Sequence, residues 1–104
     1  MATNKLKVQS LRTEVDAAFL YERIAANEQD PHVAQLFKEM ATIERGHAEH
    51  AFRGLKQDGI LNVMPGPSWR ARTLGRLGRM LGYDHVIAQL MDVEKGLAEA
   101  NLGE

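Results

Sequence analysis

Residues 27–31 read Asn-Glu-Gln-Asp-Pro, NEQDP, and the reading of this short stretch decides the fold. It separates two long segments of helical periodicity. Asp30 is a good N-cap, because its side chain can accept from the free N–H groups of a first turn. Pro31 suits the first helical position, where no N–H is needed. Upstream, Leu11, Val15, Ala18, Tyr21 and Ala25 recur at helical spacing with no Gly or Pro between them, predicting a helix over about residues 4–28. Downstream, Val33, Leu36, Phe37, Met40, Ile43, Ala48, Ala51, Phe52 and Leu55 form an apolar line over about 31–58, and Gly59 is a plausible stop. Arg45, Glu49, Arg53 and Lys56 fall on the opposite, solvated side. A connection this short forces the two helices into an antiparallel hairpin.

Beyond the hairpin, residues 60–67 hold two prolines and a glycine and read as a linker. Ser68 can cap a helix over 68–81 that Gly82 closes, and Asp84 can cap a fourth helix over 84–102. Strand alternation is absent. The class is all-α: an antiparallel helix hairpin plus two further helices in one domain spanning residues 1–104.

Composition narrows the chemistry. A chain of 104 residues can bury one modest core. Its net charge of −1 gives no bulk field for nucleic acid. The absence of cysteine excludes thiolate metal sites, disulfides and cysteine nucleophiles, and fits a reducing, cytoplasmic compartment. The first residues lack the apolar run of a signal peptide, and no stretch approaches the roughly 18 apolar residues of a membrane span.

Folding the hairpin about Asp30 sets three polar residues at one height. Glu14 lies 16 residues before that centre, and Glu44 and His47 lie 14 and 17 after it. All three share the inward faces: Glu14 follows Leu11 by three, Glu44 follows Met40 by four, and His47 precedes Ala51 by four. A Glu-x-x-His on one helix and a level Glu on its partner make half of the di-iron carboxylate site of helical bundles. Imidazole suits iron, manganese or zinc, and carboxylates supply hard oxygens that can bridge two ions. A buried carboxylate is otherwise costly.

The plainer alternatives are an ion pair of Glu14 with Arg12, Arg23 or Arg45, and a core His47 bonded to a carbonyl. His50 stands at the stripe's edge and could support His47. Glu49 points to solvent, and Tyr21, on the face of Glu14, reads as core packing. Glu22 reads as a solvated neighbour, and His32 and His85 sit near helix starts.

The stretch EVDAAFLYERIAANEQDPHVAQLFKEMATIERGHAEH (residues 14–50) resembles the first two helices of a rubrerythrin-like, ferritin-like domain. With PGPSWRARTLGRLGRMLGYDHVIAQLMDVEKGLAEA (65–100), the similarity extends to the erythrin domains at the N-terminus of membrane iron exporters of the vacuolar-iron-transporter type. That resemblance implies a dinuclear iron site, with manganese or zinc as substitutes. It also implies ferroxidase-type oxidation of Fe(II) by oxygen or peroxide at a cytoplasmic position, at the membrane face for a transporter domain. It carries ligand roles onto Glu14, Glu44 and His47 and suggests Glu94 for the third bundle helix, with Glu99 behind it. One departure stands out, because the sequence holds no second Glu-x-x-His. Either a further helix is missing or two chains each contribute half a site, and the reading adopted is a homodimer or higher homo-oligomer. A rubrerythrin-type peroxidase and a non-enzymatic iron-sensing module of a membrane transporter are the alternative functions.

The segment SWRARTLGRLGRML carries Arg70, Arg72, Arg76 and Arg79 and no acid. Arg72, Arg76 and Arg79 align, which leaves Trp69, Leu74, Leu77, Met80 and Leu81 for the other side. The sequence favours a bundle helix with a solvated arginine face and its large apolar residues packed inward. A basic helix lying on an anionic membrane is the other reading, and a nucleic-acid footprint is weak without a stacking surface.

Overall fold

The computed structural model describes residues 2–102, with side chains over residues 3–95. Four α-helices and no strands occur among the described residues: α1 Ala2–Asn27, α2 Pro31–Gln57, α3 Trp69–Leu81 and α4 Asp84–Leu102. The turn between α1 and α2 is built as its residues dictate. Asp30 is the N-cap of α2, its carboxylate accepting from the backbone N–H groups of His32 and Val33, and Pro31 opens the helix. Asp84, by contrast, lies inside the first turn of α4 rather than ahead of it. There its negative charge meets the positive end of the helix dipole.

The interior of the hairpin is divided. Towards the turn, Ala17, Leu20, Tyr21, Ile24, Phe37 and Ala41 pack together with Ala71 of α3 and Val86 and Leu90 of α4. Tyr21 and Phe37 lean on one another with ring centroids 6.0 Å apart. At the far end, Leu11, Val15, Ala48 and Leu55 form a second cluster, against which Ile60, Leu61 and Met64 pack. Residues 60–67 are thus a strap over the open end of the hairpin as well as a connection. Glu14 and Glu44 occupy the level between the two clusters.

Apolar pattern alone misplaces two sets of side chains. Leu36 and Ile43 are more than half exposed, because α2 buries the face of Phe37, Ala41, Glu44, Ala48 and Leu55 against α1. At 100° per residue, Leu36 and Ile43 lie about a third of a turn away from that face. Helix α3 departs further from the expectation. It turns Ala71, Gly75 and Gly78 to the bundle, while Trp69, Leu77, Met80 and Leu81 are exposed. Only small residues allow this approach: a Cβ on Gly75 would already stand 3.4 Å from the ring of Phe19.

The start of α3 is fastened to α1. Asp16 accepts from the backbone N–H of Ser68 at 2.8 Å and from its hydroxyl at 2.6 Å, while the Ser68 hydroxyl oxygen accepts from Ala71 N–H. The other end turns at Gly82, whose φ of 101° disfavours any side chain. Tyr83 then folds back over α3, its hydroxyl donating to the carbonyl of Gly75. A Cβ on Gly78 would lie 2.5 Å from the Tyr83 ring. Gly78→Ala is therefore expected to destabilise the fold by about 1–3 kcal/mol. Gly54→Ala, where a Cβ meets nothing within 4 Å, should stabilise it by up to about 1 kcal/mol. Thermal denaturation of the two variants beside the parent chain checks both signs.

Candidate metal centre

Helix α1 presents Glu14 and α2 presents Glu44 and His47, one turn apart. One ligand atom of each lies within 4.8 Å of the other two. The arrangement grades from inside to outside: Glu44 is 8% exposed, the Glu14 side chain 18% and the His47 side chain 59%. His47 Nδ1 stands 4.0 Å from a Glu14 carboxylate oxygen. His47 is thus not the inward-facing histidine that its spacing suggests. It sits on the border between the buried face of α2 and the exposed line of Leu36 and Ile43, reaching Glu14 from solvent.

Glu94 of α4 stands beside this group. The Tyr21 hydroxyl donates to a Glu94 carboxylate oxygen at 3.4 Å, so Tyr21, buried as core, also holds a polar contact at the site. Burial pushes the Glu44 carboxyl up, and the negative charge of Glu94, a hydrogen bond shared with it and the charge of Glu14 push it further, to about 7. Glu14 is also raised, chiefly by burial; His47 opposes the rise and Glu94 adds to it. The Tyr21 hydroxyl is raised by burial, then by Glu94 and Glu44. Burial and the neighbouring negative charges thus make Glu44 and Glu14 costly to ionise.

The neighbouring polar residues are disposed of elsewhere. Arg45 pairs with Glu22 across the hairpin surface, so that guanidinium is not the partner of Glu14. His50 borders a surface cavity with Lys7, Ser10 and Asp58, and Glu49 is exposed on the side of Glu22 and Arg45. Glu99 lies outside the described side chains.

The donor set fits a first-row cation. Two ligand atoms about 2.1 Å from one ion stand at most about 4.2 Å apart, so 4.8 Å closes with a small rotamer adjustment. A positive ion would offset the charge crowding that now raises Glu44 and Glu14. The rubrerythrin family model matches residues 8–69, which contain Glu14, Glu44 and His47. The chain belongs to the rubrerythrin family. That family usually binds iron. No curated protein and no solved structure matches the chain. The family match spans the hairpin and strap, whereas Glu94 lies on α4 beyond it.

The raised Glu44 has a measurable sign. Folded, it keeps its proton to about pH 7; its ordinary value is 4.5. The folded state therefore binds more protons in that window, and the metal-free chain loses stability as pH rises from about 4.5 to about 7. Glu44→Gln should remove most of that decline, stabilising the metal-free fold above about pH 8 by about 1–3 kcal/mol. Chemical denaturation across this pH range provides the check.

Proposed function

We propose that this rubrerythrin-family chain is a ferritin-like iron protein with Fe(II) as its substrate. Glu14, Glu44, His47 and Glu94 would be its iron ligands. The observation that carries the reading is the buried, mutually repelling carboxylate cluster with a single imidazole at its rim. A purely structural pairing would match each carboxylate with a cation, as Arg45 matches Glu22.

In this reading Glu44 gives up its proton to admit the ion, and Glu44 and Glu14 hold it between the two apolar clusters. His47 supplies a nitrogen at the solvent side and so lies on the route of entry. Tyr21 orients Glu94 through its hydroxyl. The iron supplies the redox chemistry, each Fe(II) passing one electron to oxygen or peroxide. The protein contributes the ligand geometry and the shielding.

The di-iron carboxylate sites of helical bundles carry two Glu-x-x-His motifs, and the sequence carries one. We assign the second to another copy of the chain related by a two-fold axis. The surface beside His47 supports this: Leu36 and Ile43 are exposed and share its side of α2, eleven and four residues before it. The chain would thereby serve iron storage, detoxification or delivery to a membrane exporter.

Anaerobic Fe(II) titration tests the reading, with iron per chain and oligomeric state measured together and oxygen then admitted. The expected result is about one iron per chain in a dimer, followed by oxygen consumption in proportion to iron. His47→Ala should weaken binding at least about tenfold. Binding without oxygen consumption would mark an iron sensor instead, and no specific binding would overturn the reading.

A further inference from the structure

We propose that α3 is a docking surface for an anionic lipid bilayer, lying in the membrane plane with Trp69, Leu77 and Met80 set into the headgroup region. The proposal draws on none of the metal-site residues. It starts from the orientation of the helix: Ala71, Gly75 and Gly78 face the bundle. At 100° per residue, Trp69 and Met80 stand directly opposite them, with Leu77 and Leu81 to one side. Trp69 is 76% exposed and Met80 78%. A helix that keeps its small residues for its own fold and sends its largest outward has an apolar strip that the fold does not use.

Arginines line both edges of that strip. Arg72, Arg76 and Arg79 lie on one side and Arg70 on the other, all exposed. No carboxylate lies within ion-pair distance of any of them among the described residues. Arg23 of α1 joins the larger group: a groove of about 390 Å³ is lined by Phe19, Arg23, Arg72, Gly75, Arg76 and Arg79, with the Arg23 guanidinium 5.1 Å above the Phe19 ring. The chain as a whole has a net charge of −1, so the positive charge of α3 is set against a net-negative remainder. Such a molecule orients in the field of an anionic surface with α3 towards it.

An apolar strip between basic edges is the form taken by helices that lie in a membrane interface. The guanidiniums meet headgroup phosphates, the aliphatic side chains enter the acyl boundary, and the Trp ring fits the zone between. A protein partner matches less well. The helix is convex and about 20 Å long, and four large side chains fall short of the roughly 800 Å² that each partner gives to a stable interface. Free phosphate would satisfy the arginines and leave the apolar strip in water.

Trp69 is the sole tryptophan, so its emission reports on α3 alone. Vesicles of phosphatidylcholine mixed with phosphatidylglycerol should shift that emission to the blue and carry the chain on flotation, with raised salt weakening both effects. Phosphatidylcholine alone should do neither. Arg72→Glu/Arg76→Glu should cut partitioning at least about tenfold, at roughly fivefold per basic residue lost. Met80→Asp, with helicity checked by circular dichroism, should reduce it independently. No shift and no flotation at low salt would overturn the proposal, as would equal binding to neutral vesicles. A shift produced by inorganic phosphate alone, or one that follows protein concentration without vesicles, would assign α3 to an anion or to a second copy and overturn it as well.

Discussion

Three carboxylates share the middle of a helical hairpin, and the rest of the molecule is arranged around the cost of keeping them there. Glu14 and Glu44 separate an apolar cluster at the turn from another at the open end, and Glu94 reaches the same level from α4. Carboxylates so placed are tolerated only with compensation. In the metal-free chain that compensation is a retained proton, which is why Glu44 is held to about pH 7. The same crowding makes the site receptive to a cation, since an ion removes the penalty that the proton otherwise relieves. Receptivity to a cation and the cost of ionising Glu44 are two aspects of one arrangement.

The supporting structure follows from that demand. The strap over residues 60–67 closes the lower cluster with Ile60, Leu61 and Met64. Asp16 fastens Ser68 and so fixes where α3 begins. The close approach of α3 through Gly75 and Gly78, and the sharp turn at Gly82, bring α4 back across α1 with Val86 and Leu90 in the core and Glu94 beside Tyr21. A long chain of packing contacts thus ends in the placement of one carboxylate.

Much of this was legible in the sequence where a single periodic rule governs. NEQDP fixes the reversal, the helical repeat fixes the inward faces, and the residue count from Asp30 fixes the common height of Glu14, Glu44 and His47. What escaped depended on which neighbour a face meets. An apolar line marks what can be buried, and α2 has one partner helix for two lines, so Leu36 and Ile43 stay exposed. In α3 the deciding quantity was how closely the backbones approach. Glycines set that distance, and the large residues that dominate an apolar pattern were turned outward. Tyr21 was legible as core, but its hydroxyl contact with Glu94 required the position of α4.

The most direct test of the central claim is whether a metal ion takes the place of a proton on Glu44. Calorimetric titration with Mn(II), repeated in buffers of different ionisation enthalpy, measures protons released per ion bound. The account predicts release approaching one proton per ion at about pH 6 and declining by about pH 8 as Glu44 empties by itself. Glu44→Gln should abolish the release together with the binding. Tight binding with no proton release across that range, or binding unchanged in Glu44→Gln, would contradict it.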